Sequence, residues 1–511
     1  MPTFQVKVKW GKELFNDVEL NTDEEPVVFK AQLFALTGVQ PHRQKVMIKG
    51  LAVKDESWEN IGSKVKNGVT LLLMGSKEED IPKEVTTAEK TQFLEDMDED
   101  QSALQLPAGI TNLGNTCYLN ATVQCFKVVP ELKQALLDFQ GDFGVGDGAL
   151  TAALRDLYKR MDQGLTFPPL VLVQLLHHVF PRFAERGEQG GFQQQDANEC
   201  WIELMGVLKR DLKIKSTSEA GASSTKSVID TYFGLDFETE TKCIESDIEP
   251  VTKSTEHFLQ FNCYIDKDVK YLASGLKNRL QESMTKRSNV LDRDAEYIKT
   301  SKVSRLPGYL TVQMVRFQFK QKDAINAKIL KDVKFPMMLD TFELCSPELQ
   351  EKLVPMRSKF KDYEDAIVAS VSKSKKGGKD AAMKKASEDN ENKEMEPYWF
   401  EDDIGSNNSG YYDLQAVLTH KGRSSNSGHY VAWVKFKGDT WIECNDDVVN
   451  PIHVEDVLKL SGGGDWHTAY LLLYGPRKLP KDYKSMSSDD DGAKISEAKS
   501  EAVGTEDKME T

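Results

Sequence analysis

The first part of the chain alternates apolar and polar residues and then changes to a helical repeat. From Phe4 to Trp10 every second residue is apolar, which predicts a strand with one buried face, and a second short strand follows as far as Leu20. Three acidic residues then precede Pro26. This combination is typical of a helix start, because acids favour the positive end of the helix dipole and proline suits the first helical position.

A helix and further strands complete this first segment. Phe29, Leu33 and Leu36 repeat at helical spacing, and a turn glycine ends the predicted helix. More strand-forming residues follow, and the last strand runs from Val69 to Met74. Strands, a helix and again strands in so short a segment predict an α+β roll, so we expect residues 1–75 to form a small domain of their own.

Composition divides the remaining chain. Residues 76–103 are acidic and poor in large apolar side chains, which is typical of a flexible linker. Residues 104–478 mix helical and strand periodicities and predict one large α+β domain. Within it, residues 371–396 combine lysines and acids with almost no large apolar side chain, which predicts a disordered insertion. Residues 479–511 predict a disordered acidic tail for the same reason.

The net charge of −15 belongs mostly to the predicted linker and tail. Residues 77–100 hold ten acids and three lysines, and residues 484–511 hold eight acids and four lysines. The rest of the chain is nearly balanced, which disfavours a nucleic-acid-binding protein. No apolar run approaches the ~20 residues of a membrane span and no secretory signal begins the chain, so no membrane association is expected. Seven cysteines without a CxxC pair disfavour a disulfide framework and favour a soluble intracellular protein.

One short segment carries a candidate nucleophile. Residues 109–116 are rich in glycine and asparagine, and a helical run begins immediately after them. Thr116 or Asn115 is a suitable N-cap, which places Cys117 in the first turn of the helix. There the helix dipole and the free amides stabilise a thiolate, so we expect a lowered pKa for Cys117. The alternative is a small buried core residue, which is our interpretation of most of the other cysteines.

His429 is the strongest candidate for the base that such a thiol needs. It opens a predicted strand and follows a loop rich in glycine, serine and asparagine, a position in which a side chain can meet a substrate. A hairpin turn at Gly438-Asp439 would bring the end of the next strand back beside it, and Asn445 and Asp446 lie at that end. Either residue could orient the imidazole. His420, before the loop, is equally well explained as a strand-end residue.

The order of cysteine, histidine and then asparagine or aspartate is that of papain-like enzymes, although the papain signature around the cysteine is absent. Five segments, taken in order, resemble the motifs of ubiquitin-specific proteases. They are Gly109 to Leu119, Gln194 to Glu199, Leu306 to Phe317, Gly428 to Tyr430 together with Trp441 to Val448, and Ala469 to Tyr474. Because five motifs keep one order over about 375 residues, the resemblance is specific.

The first segment also resembles a known family, the ubiquitin-like domains. The likeness rests on Met47-Ile48-Lys49-Gly50 and on the closing strand from Thr70 to Leu73, and the diglycine that ends ubiquitin is missing. A docking domain is therefore expected, with an intramolecular cover of the large domain as the alternative. The two resemblances together imply a β-grasp ubiquitin-like domain followed by a papain-like protease domain with fingers, palm and thumb. This is the layout of the proteasome-associated members of the ubiquitin-specific proteases.

The resemblance also implies roles for single residues. Cys117 is expected to be the nucleophile, His429 the general base, and Asn445 the residue that orients His429, with Asp446 in support. Asparagine at position 445 departs from the aspartate of many family members, and it orients histidine without adding a full negative charge. Asn112 matches the side chain that donates a hydrogen bond to the oxyanion.

Further residues are expected to bind partners. Asp196 matches a carboxylate that binds the basic tail of ubiquitin, with a helix-capping acid as the alternative, and Tyr430 is a second candidate contact with ubiquitin. Met47 and Met74 are candidates for docking to the proteasome regulatory particle. No cofactor and no metal are expected, because the CxxC pairs with which family members often bind zinc are absent.

The expected protein is thus a monomeric deubiquitinating enzyme of the cytoplasm and nucleus that trims ubiquitin from substrates at the proteasome and recycles it. Two other functions fit parts of the sequence. A non-catalytic adaptor would bind ubiquitin without cleaving it, but inactive homologues usually lose the cysteine or the histidine, and both are present. A different thiol enzyme, such as a papain-like protease or an acyltransferase, would be expected to show secretory or cofactor features that the sequence lacks.

Overall fold

The computed structural model describes most of two parts of the chain, residues 3–74 and 106–481. The residues left out within them are 11–12, 38, 40, 42–43, 49–50, 54–57, 59–64, 143–147, 165, 188–189, 215–225, 321–324, 374–393, 425–426 and 465. The chain divides into two compact units, Met1–Gln105 and Leu106–Thr511. The predicted linker at 76–103 lies outside the described residues.

The described residues of the first unit form a five-stranded sheet and a helix that packs on it. Its elements are β1 (Thr3–Trp10), β2 (Glu13–Asn21), α1 (Pro26–Thr37), β3 (Lys45–Ile48), β4 (Leu51–Ala52) and β5 (Thr70–Met74). The strand order is β2-β1-β5-β3-β4, with β1 and β5 parallel and the other neighbours antiparallel. Phe29 and Leu33 of α1 share a core with Val6, Val8 and Leu71 of the sheet. The predicted strands and the predicted start of the helix are confirmed.

One helix position in this unit differs from the prediction. Leu36 is 45% exposed, although its spacing placed it on the buried face. The buried side of α1 runs instead through Phe29, Lys30, Leu33 and Thr37, and the Thr37 hydroxyl donates to the Leu33 carbonyl at 2.7 Å. Because the inward position after Leu33 lies four residues on and not three, Leu36 turns toward the solvent.

The second unit begins with a layer of helices. They are α2 (Cys117–Lys127), α3 (Pro130–Leu137), α4 (Ala149–Met161), α5 (Leu170–Val179), a 3-10 turn (Pro181–Ala184), α6 (Ala197–Asp211) and α7 (Val228–Phe233). Helix α2 is buried from Cys117 to Phe126, because it contacts both the neighbouring helices and the large sheet of this unit. No helix among the described residues is both long and apolar enough to cross a membrane.

Strands form the rest of the second unit. In chain order they are β6 (Lys213–Ile214), β7 (Lys226–Ser227), β8 (Leu235–Cys243), β9 (Thr252–Phe258), β10 (Phe261–Tyr264), β11 (Gln281–Ser288), β12 (Arg293–Arg305), β13 (Leu310–Val315), β14 (Phe317–Lys320), β15 (Ile325–Lys328), β16 (Met338–Asp340), β17 (Tyr411–Ser424), β18 (Ser427–Lys437), β19 (Thr440–Asn445), β20 (Val448–Ile452) and β21 (Thr468–Pro476). The later helical segments are α8 (Leu272–Arg279), a 3-10 turn (Phe342–Leu344), α9 (Pro347–Lys373), α10 (Val454–Leu458) and a 3-10 turn (Lys459–Ser461).

These strands form one large sheet, a four-stranded sheet and a short pair. The large sheet follows the order β10-β13-β21-β17-β18-β19-β20, with β14, β15 and β16 joined at its side. The four-stranded sheet has the order β11-β12-β8-β9, and β6 pairs with β7. Strand β18 contributes to two cores: Tyr430, Ala432 and Val434 pack toward the helices, whereas Val431 and Trp433 belong to the core on the other face. Through the side chains that point to the helices, strand β18 packs against helix α2.

The ends of the predicted insertion and tail need correction. Helix α9 continues to Lys373, so the insertion predicted for 371–396 begins too early. At its other end Glu396 donates its backbone N–H to the Leu479 carbonyl at 2.7 Å, and Leu479 is only 1% exposed. The predicted tail therefore also begins too early, because Leu479 supplies an apolar side chain to a small cluster beside α9. Residues 374–393 and 482–511 lie outside the described part of the chain.

Candidate active site

The segment before Cys117 is a loop that turns sharply into helix α2. Gly114 and Asn115 both adopt left-handed backbone conformations, with φ of 94° and 58°. Glycine and asparagine tolerate this region better than other residues do. Thr116 occupies the N-cap position as predicted, but its hydroxyl makes no capping hydrogen bond and accepts instead from the Leu113 N–H at 2.9 Å. The helix begins at Cys117 as the sequence predicted.

The thiol of Cys117 is enclosed by protein. It is 2% exposed, and burial raises the pKa of Cys117 to about 11. A backbone hydrogen bond from Tyr430 lowers this pKa, the negative charge of Asp446 raises it, and the N–H groups at the start of α2 lower it slightly. The expected lowered pKa is therefore wrong for this structure. Loss of hydration disfavours the thiolate by more than the helix amides favour it.

The imidazole of His429 contacts Asn445. Strands β18 and β19 form the predicted hairpin, with Ala432 opposite Cys444, and this register returns Asn445 to the start of β18. Nε2 of His429 lies 2.7 Å from Oδ1 of Asn445. Because an amide oxygen only accepts hydrogen bonds, this contact favours the tautomer with the proton on Nε2 and leaves Nδ1 as the free acceptor. Asp446 lies further away, with Oδ2 at 3.9 Å from the same nitrogen.

Asp446 connects the β19–β20 turn to the segment that carries the cysteine. Its backbone is left-handed, with φ of 55°, and its carbonyl accepts from the Ile110 N–H at 2.8 Å. Its carboxylate accepts from Asn112 Nδ2 at 2.9 Å through Oδ2 and from Asn120 Nδ2 at 2.8 Å through Oδ1. The neighbouring Gly109 lies so close that an added Cβ would sit 2.4 Å from the carbonyl oxygen of Asp447. The loop and the turn thus hold each other in place.

Asn112 is oriented at both ends of its amide. Oδ1 accepts from the N–H of Gly114 at 2.9 Å and from the N–H of Thr116 at 3.2 Å. Nδ2 donates one hydrogen bond to Asp446 and has a second N–H available, because a primary amide donates twice. Asn112 is also exposed, so its free N–H is accessible to a ligand.

Strand β18, which carries His429, brings this residue near the thiol of Cys117. The backbone N–H of Tyr430, the residue after His429 on β18, lies near enough to the Cys117 sulfur to lower the pKa of the thiol. Among the described residues no hydrogen bond joins the sulfur directly to the His429 ring. In this structure β18 therefore packs His429 against the helix of Cys117 without a direct hydrogen bond between the two among the described residues.

Asp196 takes the position of a helix cap, which the sequence left open as an alternative. It precedes α6, and Oδ1 accepts from the N–H groups of Asn198 at 2.7 Å and Glu199 at 3.4 Å. The hydroxyl of Tyr470 lies 2.9 and 2.8 Å from the two carboxylate oxygens. Burial raises the pKa of Asp196, and the hydrogen bonds from Tyr470 and Asn198 oppose that shift.

Tyr430 does not lie where the sequence analysis expected it. Its side chain is 1% exposed and packs against the rings of His420 and Tyr470, at centroid distances of 4.7 and 6.3 Å. As β18 alternates between the two cores, Tyr430 points to the helical side. A contact of Tyr430 with ubiquitin stays a prediction, and in this structure its buried side chain presents no exposed surface for it.

Two further histidines lie behind His429. Burial lowers the pKa of His420 to about 3 and that of His467 to about 3, so both imidazoles are neutral at neutral pH. His467 Nδ1 lies 3.2 Å from the Thr419 hydroxyl, and its ring centroid is 6.3 Å from that of His429. Within the described residues, neither ring nitrogen of His420 has a hydrogen-bond partner. Neither residue replaces His429 as the candidate base.

The predicted docking residues lie on neighbouring strands of the first unit. Met47 is partly buried on β3 and Met74 is 51% exposed on β5. Between them Leu72 is 42% exposed, and the pairing of β3 with β5 sets Met47 opposite Leu72 and Lys45 opposite Met74. Lys9 of β1 flanks Leu72 on its other side. The sheet face away from α1 therefore carries an apolar patch with basic neighbours.

The structure brings together all the residues predicted around the nucleophile. Asn120 and Gly109 were missed, although a polar residue three positions after Cys117 in an apolar helix is a signal for Asn120. Within the ranges described, no group of three or more histidine, cysteine, aspartate or glutamate side chains is placed to hold a metal ion.

Comparison with known proteins agrees with this site. A family model described as ubiquitin carboxyl-terminal hydrolase matches residues 108–474. Ubiquitin carboxyl-terminal hydrolase 14 of Caenorhabditis elegans is 42% identical over 482 residues, which cover 93% of this chain and 94% of that protein. Ubiquitin carboxyl-terminal hydrolase 7 of Arabidopsis thaliana is 40% identical over 486 residues, with 93% and 99% coverage. Ubiquitin carboxyl-terminal hydrolase 6 of Schizosaccharomyces pombe is 36% identical over 496 residues, again with 93% and 99% coverage.

A solved structure supports the fold of the large unit. A chain of the SAGA DUB module bound to monoubiquitin superposes with a TM-score of 0.50 at 18% identity, covering 74% of this chain and 72% of its own. At that identity the likeness concerns the fold alone, which is the catalytic-domain fold that the sequence motifs implied. With a matching family model and several relatives above 30% identity, the chain belongs to the ubiquitin carboxyl-terminal hydrolase family of thiol-dependent deubiquitinating enzymes.

Proposed function

We propose that Cys117 is the nucleophile with which this enzyme hydrolyses the bond after the C-terminal glycine of ubiquitin on protein conjugates. The observation that carries the proposal is the contact between His429 Nε2 and Asn445 Oδ1 at 2.7 Å, on the strand that packs against helix α2, which begins with Cys117. This arrangement supplies a thiol, a base with a free acceptor nitrogen, and a residue that fixes the tautomer of the base.

The raised pKa of Cys117 determines how the reaction starts. A thiol with a pKa of about 11 is almost entirely protonated at neutral pH, so the reaction starts from the thiol and not from a thiolate. When the ubiquitin tail enters, His429 Nδ1 takes the proton from Cys117 as the sulfur attacks the glycine carbonyl carbon. The carbon–nitrogen bond then breaks, and the imidazolium gives its proton to the leaving lysine amine. Water, deprotonated by His429, hydrolyses the thioester and releases ubiquitin.

Asn112 is proposed to stabilise the oxyanion. One N–H of its amide is held by Asp446, so the group is oriented before the substrate arrives, and the other N–H can donate to the oxygen of the tetrahedral intermediate. The backbone N–H of Cys117, at the start of α2, is the second donor. Preorganised donors of this kind are worth ~10²–10³ in rate each.

Asn445 and Asp446 are proposed to have separate tasks. Asn445 orients His429 by direct contact, and Asp446 supports the site through Asn112 and the cysteine loop. Asp196 is proposed to bind the basic tail of ubiquitin, because its carboxylate is fixed by the start of α6 and by Tyr470 and a carboxylate has four acceptor positions.

The first unit is proposed to be a β-grasp, ubiquitin-like domain that docks the enzyme on the proteasome regulatory particle. The support is the apolar patch of Met47, Leu72 and Met74, flanked by Lys9 and Lys45, on the open face of the sheet. Docked there, a monomeric enzyme without cofactor would trim ubiquitin from substrates and recycle it, in both cytoplasm and nucleus. We also propose that residues 76–103 link the two units and that the residues beyond 481 form a tail.

A pair of variants tests the catalytic proposal. Cys117→Ala should abolish hydrolysis of a ubiquitin–fluorophore conjugate while its affinity for ubiquitin stays close to that of the unaltered protein. Cys125→Ala, a buried cysteine on the same helix, is the matched control and should keep its activity. Residual hydrolysis by Cys117→Ala at the original rate would refute the proposal.

A further inference from the structure

Asn120 is one of three polar side chains, with Thr122 and Gln124, that helix α2 buries. It lies three residues after Cys117, nearly one helical turn away, and is 3% exposed. An amide in such a place is costly unless its hydrogen-bonding groups are used. Its contacts therefore indicate what the residue does.

The Asn120 amide joins three parts of the site. Nδ2 donates to Asp446 Oδ1 at 2.8 Å and to the Ile110 carbonyl at 3.1 Å, and the Thr111 carbonyl lies at 3.5 Å. Helix α2, the loop before it and the turn after β19 are thus connected through one side chain. Oδ1 of Asn120 has no hydrogen-bond partner among the described residues, so donation is the function of this group.

The contact also determines how the Asp446 carboxylate is turned. Because Asp446 Oδ1 accepts from Asn120, Asp446 Oδ2 faces Asn112 Nδ2 at 2.9 Å. The same Oδ2 stays 3.9 Å from His429 Nε2. His429 consequently keeps its shorter contact with Asn445. Without Asn120, the carboxylate would be free to rotate toward the imidazole, leaving Asn112 without its acceptor.

We propose that Asn120 is a positioning residue that acts through Asp446, holding the carboxylate so that it orients Asn112 and leaves His429 to Asn445. The inference rests on the proposed function, because it assumes that Cys117, His429 and Asn112 perform the reaction. It adds a sixth side chain to Cys117, His429, Asn445, Asp446 and Asn112, and it explains why a buried amide follows the nucleophile by three residues.

A charge-swapped pair of variants tests the proposal. Asn120→Asp sets a carboxylate against Asp446 and should lower kcat by on the order of 10²-fold, the effect of a misplacement near 1 Å, with little change in KM. In the double variant Asn120→Asp with Asp446→Asn, the new amide can donate to position 120 and still accept from Asn112. It should therefore recover part of the lost kcat, since the carboxylate at position 120 still cannot donate to the Ile110 carbonyl.

The pH profile gives a second readout. In Asn120→Ala the freed Asp446 carboxylate would pair with the imidazolium and raise the pKa of His429, so the ascending limb of kcat/KM should move to higher pH. The other charged and titratable groups around His429 are Lys421, which pairs with it across β17 and β18, the neutral His467 and His420, and Cys117. Among these neighbours the substitution frees only the Asp446 carboxylate, so a shift reports on Asp446.

Asn408→Asp is the matched structural control. Asn408 is buried, and its amide donates to two main-chain carbonyls, those of Pro397 and Trp399, each at 3.0 Å. Like Asn120→Asp it should lower the melting temperature, but its kcat and pH profile should be those of the unaltered enzyme. Rates are compared at temperatures at which every variant is folded, and Asn120→Ala serves if Asn120→Asp does not fold.

Three results would overturn the inference: wild-type kcat in both Asn120 variants, no recovery in the double variant, or an equal loss of kcat in Asn408→Asp. Labelling with a ubiquitin that bears a C-terminal electrophile distinguishes a failure of this inference from a failure of the proposed function. If the unaltered protein and the variants are labelled at Cys117, the proposed function stands whatever the kcat values show. If the unaltered protein is not labelled there, the proposed function itself fails.

Discussion

His429 and Asn445, sixteen positions apart, meet at 2.7 Å because the β18–β19 hairpin returns the chain to the start of β18. The neutral amide fixes the ring by its oxygen and leaves the imidazole without a carboxylate in direct contact. The nearest carboxylate, that of Asp446, is bound to Asn112 and Asn120 instead. The site therefore orients its histidine through an amide.

Replacing Asn445 by aspartate should change the pH dependence of the enzyme. A negative charge beside Nε2 favours the imidazolium, so the pKa of His429 rises. Because the neutral imidazole is the form that accepts the thiol proton, the ascending limb of kcat/KM should move to higher pH. The measurement is a pH–rate profile with a ubiquitin–fluorophore substrate, and Asn445→Ala should instead lower kcat by ~10²-fold through lost orientation. An unshifted limb in Asn445→Asp would place the orienting role elsewhere.

The thiol of Cys117 should react as a buried, protonated group in the free enzyme. Its pKa of about 11 lies above the usual value of ~8.5, so the thiolate fraction should still grow about tenfold per unit from pH 7 to pH 10. Alkylation of Cys117 by iodoacetamide, followed by mass spectrometry of the peptide, should show that increase. A rate that is already high and constant from pH 6 would reveal a thiolate–imidazolium pair and contradict this assignment.

The same shift has a consequence for stability. Unfolding exposes Cys117 and returns its pKa to ~8.5, so between that pH and about 11 the unfolded chain binds fewer protons than the folded one. The free energy of unfolding should therefore fall as the pH rises through this window and be unaffected by the thiol below it. Urea titrations at several pH values should show a smaller fall in Cys117→Ala than in the unaltered protein. Parallel curves would mean that the thiol is not buried.

Gly109→Ala should impair catalysis without touching the substrate. The added Cβ would sit 2.4 Å from the Asp447 carbonyl oxygen, so the loop and the β19–β20 turn must separate. We expect kcat to fall by ~10²-fold while the affinity for ubiquitin changes little. Gly206→Ala, in helix α6 with no atom within 4 Å of the new Cβ, is the matched control. It should keep full activity. Equal losses of kcat in both variants would contradict a specific role of the close contact at Gly109.

The apolar patch of the first unit should be needed for docking alone. Leu72→Glu and Met74→Glu place charges on side chains that are 42% and 51% exposed, and each should weaken binding to purified proteasomes. Val28→Glu is the control, because Val28 is equally exposed, at 50%, but belongs to α1 on the opposite side of the sheet. All three should hydrolyse a ubiquitin–fluorophore substrate at the original rate. Binding that is lost only in Val28→Glu would assign docking to the helix.

Much of the site could be predicted from the sequence because local signals determine it. A glycine- and asparagine-rich loop before an apolar helix fixed the position of Cys117, and a short hairpin brought Asn445 to His429. What failed depended on contacts between distant segments. The pKa of Cys117 is raised because β18, some three hundred residues later, covers the start of α2. Tyr430 is buried because its strand alternates between two cores, a pattern that does not reveal which face meets the helices.

Reaction of the full-length protein with a ubiquitin that carries an electrophile at its C-terminus tests the central claim most directly. The measurement is the mass of the covalent product and the modified peptide, for the free protein and for the protein bound to proteasomes. We expect one ubiquitin per chain, attached to the sulfur of Cys117. Cys117→Ala should give no product, and Cys125→Ala should give the normal amount. Attachment to another residue, or no product in either state, would contradict it.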